Sequence, residues 1–127
     1  MAWESSQTCI TLTSHADYTA SQYRFVMVNS SGSAEVTAAD GNAIGILQNN
    51  PDAGEAAVVA VAGVSKLYIG TTGSLVAGSI VASEAAGAGI LTNASSAALA
   101  IALEDSTANG DIISVVVTGA NGKVQAA

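Results

Sequence analysis

The chain has 127 residues, half of them apolar, with ten acidic side chains against three basic ones and a formal net charge of −7. Arg24, Lys66 and Lys123 are its only firm cations. Phosphate binding needs clustered Lys or Arg, so a nucleic-acid ligand is excluded from the expectations. A single cysteine, Cys9, allows no intrachain disulfide, and a single histidine, His15, cannot complete an ordinary zinc set.

A chain of this length is expected to form one domain. Much of its apolar half is alanine, with one Phe and one Trp. The core is therefore thin, and part of the apolar surface is expected to be buried against partner chains. The start, MAWESSQT, shows no basic region followed by an apolar one, so no secretory signal is expected. The longest apolar run, Ala56 to Val64, is about half a membrane span. These features predict a soluble protein made in a reducing cytosol, with no membrane partner. The scattered acids read as a solvated surface.

Residues 1–20 form a polar N-terminal arm with a short β-like alternation around Cys9, Ile10, Thr11 and Leu12. Trp3 stands almost alone in it. Either the arm folds back to cap the domain, or it reaches out and docks Trp3 on a neighbour, tryptophan being a favoured interface anchor. Trp3, Ile10, Leu12, Tyr18 and Tyr23 are the expected protein-contact residues.

Residues 21–119 are the expected domain. Tyr23 to Asn29 is a strand with Tyr23, Phe25 and Met27 on one face and Arg24, Val26 and Val28 on the other. After the turn at Asn29 to Ser33 comes a weak strand, Glu35 to Ala38, then a turn at Ala39 to Asn42. The next strands are Ile44 to Gln48 and Glu55 to Val61, flanking the turn Asn49-Asn50-Pro51-Asp52-Ala53-Gly54. Val64 to Ile69, Ser79 to Ala82 and Ile90 to Thr92 follow. From Ala43 to Ala82 the apolar runs are cut by glycine, and Gly54, Gly63, Gly70 and Gly73 fall between runs, where positive φ is expected. So many tight turns leave no long loop for an active site.

Asn93 to Glu104 is ambiguous. Ser95 and Ser96 could cap an alanine-rich helix, but period two puts Leu99, Ile101 and Leu103 on one face and alanines on the other. That favours a strand from Ala98 to Leu103. The turn signal Asn109-Gly110 then leads into Asp111 to Thr118, with Ile113, Val115 and Val117 facing one way and Ile112, Ser114 and Val116 the other. Residues 120–127 are expected to be a frayed tail. The fold expected is all-β: a compact small β-barrel or sandwich of short strands and tight Gly-rich turns, carrying an extended N-terminal arm.

No motif carries chemistry. Gly73 to Ser79 has phosphate-loop glycine spacing but lacks the lysine that meets the phosphates. Ser14, His15 and Asp17 lie together in one polar arm, which suits an exposed histidine better than a hydrolase triad. Asn49 to Glu55 fits a turn better than a calcium loop. Glu104 and Asp105 point to opposite faces of a strand, which is poor for paired acid–base work. No catalytic residue, cofactor or metal is expected.

The order and spacing of Ala43-Ile44-Gly45-Ile46-Leu47, Ala53-Gly54-Glu55, Ala62-Gly63-Val64, Gly73 to Ala82, Ile101 to Asp105 and Gly110 to Val115 resemble the capsid decoration, or cement, proteins of tailed phages. The resemblance spans roughly Tyr23 to Gly119. It departs from that family at Ala100, where a glycine is common, and in the first 20 residues, which match no shared pattern. It implies a compact β-barrel or sandwich whose homotrimers sit on the outer capsid surface of the virion and bridge major capsid protein subunits. Two other readings stay open. One is a trimeric head-fibre or receptor-binding module using the loops Asn29 to Ser33 or Asn49 to Gly54. The other is a biotinyl- or lipoyl-type carrier domain, for which Lys66 would have to occupy a tight hairpin.

Overall fold

Short runs of Val, Ile and Ala favour extended backbone, and closely spaced turns keep most of them brief. The computed structural model describes residues 2–70, 75–92 and 97–121. These form nine strands: β1 (Ser5–Thr13), β2 (Phe25–Val28), β3 (Ala34–Val36), β4 (Gly45–Leu47), β5 (Ala56–Tyr68), β6 (Ile80–Ser83), β7 (Gly89–Leu91), β8 (Ala98–Ala102) and β9 (Ile112–Asn121). They make one sheet in the order β3-β2-β4-β5-β9-β8-β6-β7, with β1 added on β5. All pairings between these strands are antiparallel. The all-β class expected from the sequence is the one observed.

β5 is the shared spine. It pairs with β1 along most of its length, with β4 at Val59 and Ala60, and with β9 from Gly63 to Tyr68. The sequence predicts two strands here, Glu55 to Val61 and Val64 to Ile69, with a turn between. Instead one strand of 13 residues runs through. Gly63 has φ +94, and a Cβ there would lie 2.3 Å from the carbonyl oxygen of Ser6. The β1–β5 register also slips between Ser5 and Cys9. Gly63 thus accommodates an irregularity within a pair, where an added residue bends a strand without reversing it. Gly54, at φ +81, does close the β4–β5 turn. Gly70 does not have positive φ; it is small because the Glu84 carboxylate packs where its Cβ would be. Gly73 and the proposed helix cap at Ser95 and Ser96 lie outside the described residues.

The β4–β5 turn is tied by its own side chains. Asn49 accepts from the Val58 N–H at 3.0 Å and donates to the Ala56 carbonyl at 2.9 Å. The Glu55 carboxylate accepts from the Asp52 N–H at 2.7 Å.

Alternation on β2 and β4 divides the core in two. Phe25 and Ile46 enter a larger cluster with Leu67, Ile69, Leu75, Val81, Leu99, Ile113 and Val115. Val26 and Leu47 enter a second one with Ala34, Ala57 and Val59, closed by Leu12, Tyr18, Val36, Ile44 and Val61. Fully burying each large side chain contributes about 1.5–3 kcal/mol, so β2 and β4, buried on both faces, are the best-anchored short strands. Isolated bridges Ser14–Ala34 and Ile69–Gly89 draw the two ends of the sheet back towards the spine. The sheet therefore curls on both sides of β5, around one cluster each.

β8 is a strand, as its period-two pattern predicts, and its faces differ from the prediction. Leu99, Ala100 and Ala102 are all buried, and Ile101 is turned outward. The β8–β9 register slips between Ala98 and Ala100, so Leu99 and Ile101 cannot share a face. β9 has the predicted faces, with Ile113, Val115 and Val117 buried and Ile112 exposed, and it continues to Asn121.

Candidate interaction surface

The first 20 residues do not extend away from the domain. β1 folds back along β5, and the Ser14 N–H donates to the Glu55 carbonyl at 2.8 Å. Ahead of β1, Trp3 is pinned by its backbone. The buried Ser114 hydroxyl accepts from the Trp3 N–H and donates to the Trp3 carbonyl at 2.9 Å. Trp3 as a whole stays 46% exposed.

The five residues expected to make protein contacts separate into two groups. Trp3 and Ile10 are exposed on the surface. Leu12 and Tyr18 pack against the second cluster and Tyr23 against the first. The Tyr18 hydroxyl also accepts from the Val36 N–H at 3.1 Å, and its N–H donates to the Pro51 carbonyl at 2.8 Å. Tyr23 has φ +65, held by its N–H on the Leu47 carbonyl and by the Tyr68 N–H on its own carbonyl, both at 2.8 Å.

The larger apolar surface is built by strand register. On the outward face, Ile80 stands opposite Ile101, Ile101 opposite Val116, and Val116 opposite Val64. This row crosses β6, β8, β9 and β5. Ile80 is 47% and Ile101 39% exposed, with Val64 and Val116 half-buried. On β9 the same face carries Ser114, beneath Trp3, and then exposed Ile112. Val76 projects from the turn just before β6, where its carbonyl accepts from the Ser79 N–H. Local sequence carries no trace of this face, because its members are far apart in the chain and only the register aligns them.

The charge distribution follows the same division. β5, β6, β8 and β9 contain no Asp or Glu, and Lys66 is their only charged residue. Lys66 Nζ lies 5.6 Å from the centre of the Tyr23 ring, and the Arg24 guanidinium lies 4.1 Å from that of Tyr68. Described acids sit mostly in turns. Asp17 is held below the ordinary aspartate value by the Thr19 hydroxyl and N–H, and Asp111 by the Thr107 and Ala108 N–H groups.

The groups considered for chemistry are engaged separately. The Ser14 hydroxyl donates to the Ala16 carbonyl at 2.8 Å, Asp17 is bound to Thr19, and His15 faces Glu35 at 3.6 Å. No triad geometry results. In the phosphate-loop-like segment, Gly78 donates its N–H to Ala102 and Leu75 donates to the Ser106 hydroxyl. Lys66 lies within β5 and not in a hairpin, so the carrier-domain arrangement is not the one observed. Among the described residues there is no group of three or more His, Cys, Asp or Glu placed to hold a metal. No helix among them is long and apolar enough to cross a membrane.

The sheet is similar to that of the head fibre gp8.5 N base of bacteriophage phi29. The TM-score is 0.65 at 13% identity, with 89% of this chain and 95% of that one covered. At that identity the likeness is one of fold. No curated protein matches the sequence. A family model described as phage cement protein matches residues 4–119. That match takes in β1 and most of the first 20 residues, which the resemblance from Tyr23 to Gly119 does not cover. The chain belongs to the phage cement protein family, whose members are structural components of the virion.

Proposed function

We propose that this protein decorates the outside of an assembled phage head, as a homotrimer, and binds across joints between major capsid protein subunits. The observation that carries the reading is the match of residues 4–119 to the phage cement family, beside which exposed large apolar side chains gather on a sheet face whose strands bear no carboxylate. Contiguous exposed apolar surface marks association sites, and rigid strands present it at little entropic cost. A cement protein adds buried area across subunit joints. A standard interface buries about 1,600 Å² in total, and many copies act together on one shell. Binding only the assembled state stabilises it by mass action.

Purified protein mixed with heads that lack it tests this directly. Cosedimentation at fixed stoichiometry, with heads that withstand more heat, is the expected result. The fold likeness to a head-fibre base favours one second reading, a head-fibre or receptor-binding module. On that reading the isolated protein binds cells or glycans and gives heads no protection.

A further inference from the structure

We infer that the outward face of β5, β9, β8 and β6 is where copies of this chain meet, with Ile101 and Val116 at the middle of the contact row. The inference deepens the homotrimer reading above and rests on it. Its first support is the row Ile80–Ile101–Val116–Val64, which the pairing register makes continuous over four strands. The exposed Ile112 and Trp3, whose backbone is bound to Ser114, lie beside this row on β9, so four of the eight exposed large apolar residues among the described residues are gathered on or beside it.

Its second support is charge. The molecule carries a formal −7, so two copies repel wherever their acidic turns approach. The four strands of this face contribute no carboxylate. Like charges brought together at a contact are costly, and here a second copy meets no acidic side chain on the strands themselves, Lys66 opposite Ser114 being their one charge. A basic partner would gain more from the acidic turns than from this face. The occupant that fits a carboxylate-free apolar row on an acidic protein is the same row on another copy.

The occupant is committed by cross-linking. In a Cys9→Ser background, Ile101→Cys is expected to form disulfide-linked pairs rapidly under mild oxidation, and Ile10→Cys, on β1, is not. Separately, Ile101→Glu should raise the apparent dissociation constant of the oligomer at least about tenfold, with an unchanged circular dichroism spectrum and melting temperature. Ile80→Ser, a milder change, should weaken it less. A wild-type chain that stays monomeric at every concentration overturns the inference. So do Ile101→Glu oligomers that persist while binding to heads is lost, since the face would then belong to the shell. Oligomers that cross-link through residue 101 but ignore every head support this contact and count only against the cement reading.

Discussion

The Ser114 side chain, on the outward face of β9, closes a two-way hydrogen bond with the backbone of Trp3, more than a hundred residues away in the chain. The first residues are thereby fixed over the sheet, and Trp3 is left half exposed above the outward face of β9. Ser114→Ala removes both bonds and leaves the Trp3 backbone to water. It should cost about 1–2 kcal/mol in urea denaturation and expose the N-terminus to proteolysis. Trp3→Ala should leave the monomer's unfolding midpoint nearly unchanged and weaken assembly by about 2 kcal/mol, measured by sedimentation. Early melting of Trp3→Ala, with unchanged assembly per folded molecule, would place the indole's role in the core.

Two glycines with similar φ should respond differently to alanine. At Gly54, φ is +81 and the space is open, so Gly54→Ala should cost about 1 kcal/mol from backbone strain alone. At Gly63 the added methyl meets the Ser6 carbonyl oxygen at 2.3 Å. Gly63→Ala must also push β1 off β5, and a loss of about 3 kcal/mol is expected in the same assay. Equal costs at the two sites would mean that the β1–β5 contact is loose.

The five expected contact residues divide by what their removal does. Tyr18→Phe loses the acceptor for the Val36 N–H and should cost about 1 kcal/mol of stability. Leu12→Ala removes packing from the second cluster and should cost about 2 kcal/mol. Ile10→Ala, on the exposed side of β1, should stay within about 0.5 kcal/mol of wild type.

The Asp111 turn gives a prediction in acid. Its carboxylate accepts from the Thr107 N–H and the Ala108 N–H at 2.8 and 3.1 Å, which lowers its folded-state pKa from the ordinary 3.8. A depressed carboxylate contributes stability above its unfolded pKa and loses it as pH falls through the folded value. Wild type should therefore lose stability below about pH 4 more steeply than Asp111→Ala, measured as urea midpoint against pH. Parallel curves would show that the turn does not use the charge.

The sequence made the alternating elements legible. Ile113, Val115 and Val117 against Ile112 sort by burial as period two requires, and Phe25 and Val26, both buried, enter different clusters. The strand at Ala98 to Ala102 was readable for the same reason. Glycine was the less reliable guide: a residue with positive φ lies in the turn between two strands at Gly54 and inside one strand at Gly63, and the difference lies in Ser6, distant in the chain. That Leu99 is buried while Ile101 turns outward depends on a register slip that has no local signature. The apolar row was hidden from the sequence for a stronger reason. Val64, Ile80, Ile101 and Val116 are ordinary strand residues one at a time, and only pairing makes them neighbours.

The claim that this protein works by occupying joints on a finished shell is tested most directly by adding it, purified, to undecorated heads and measuring bound copies and the temperature at which the heads open. The account predicts saturable binding at a fixed number of copies per head and a raised opening temperature. Protein that remains in the supernatant, with heads opening at their original temperature, contradicts it.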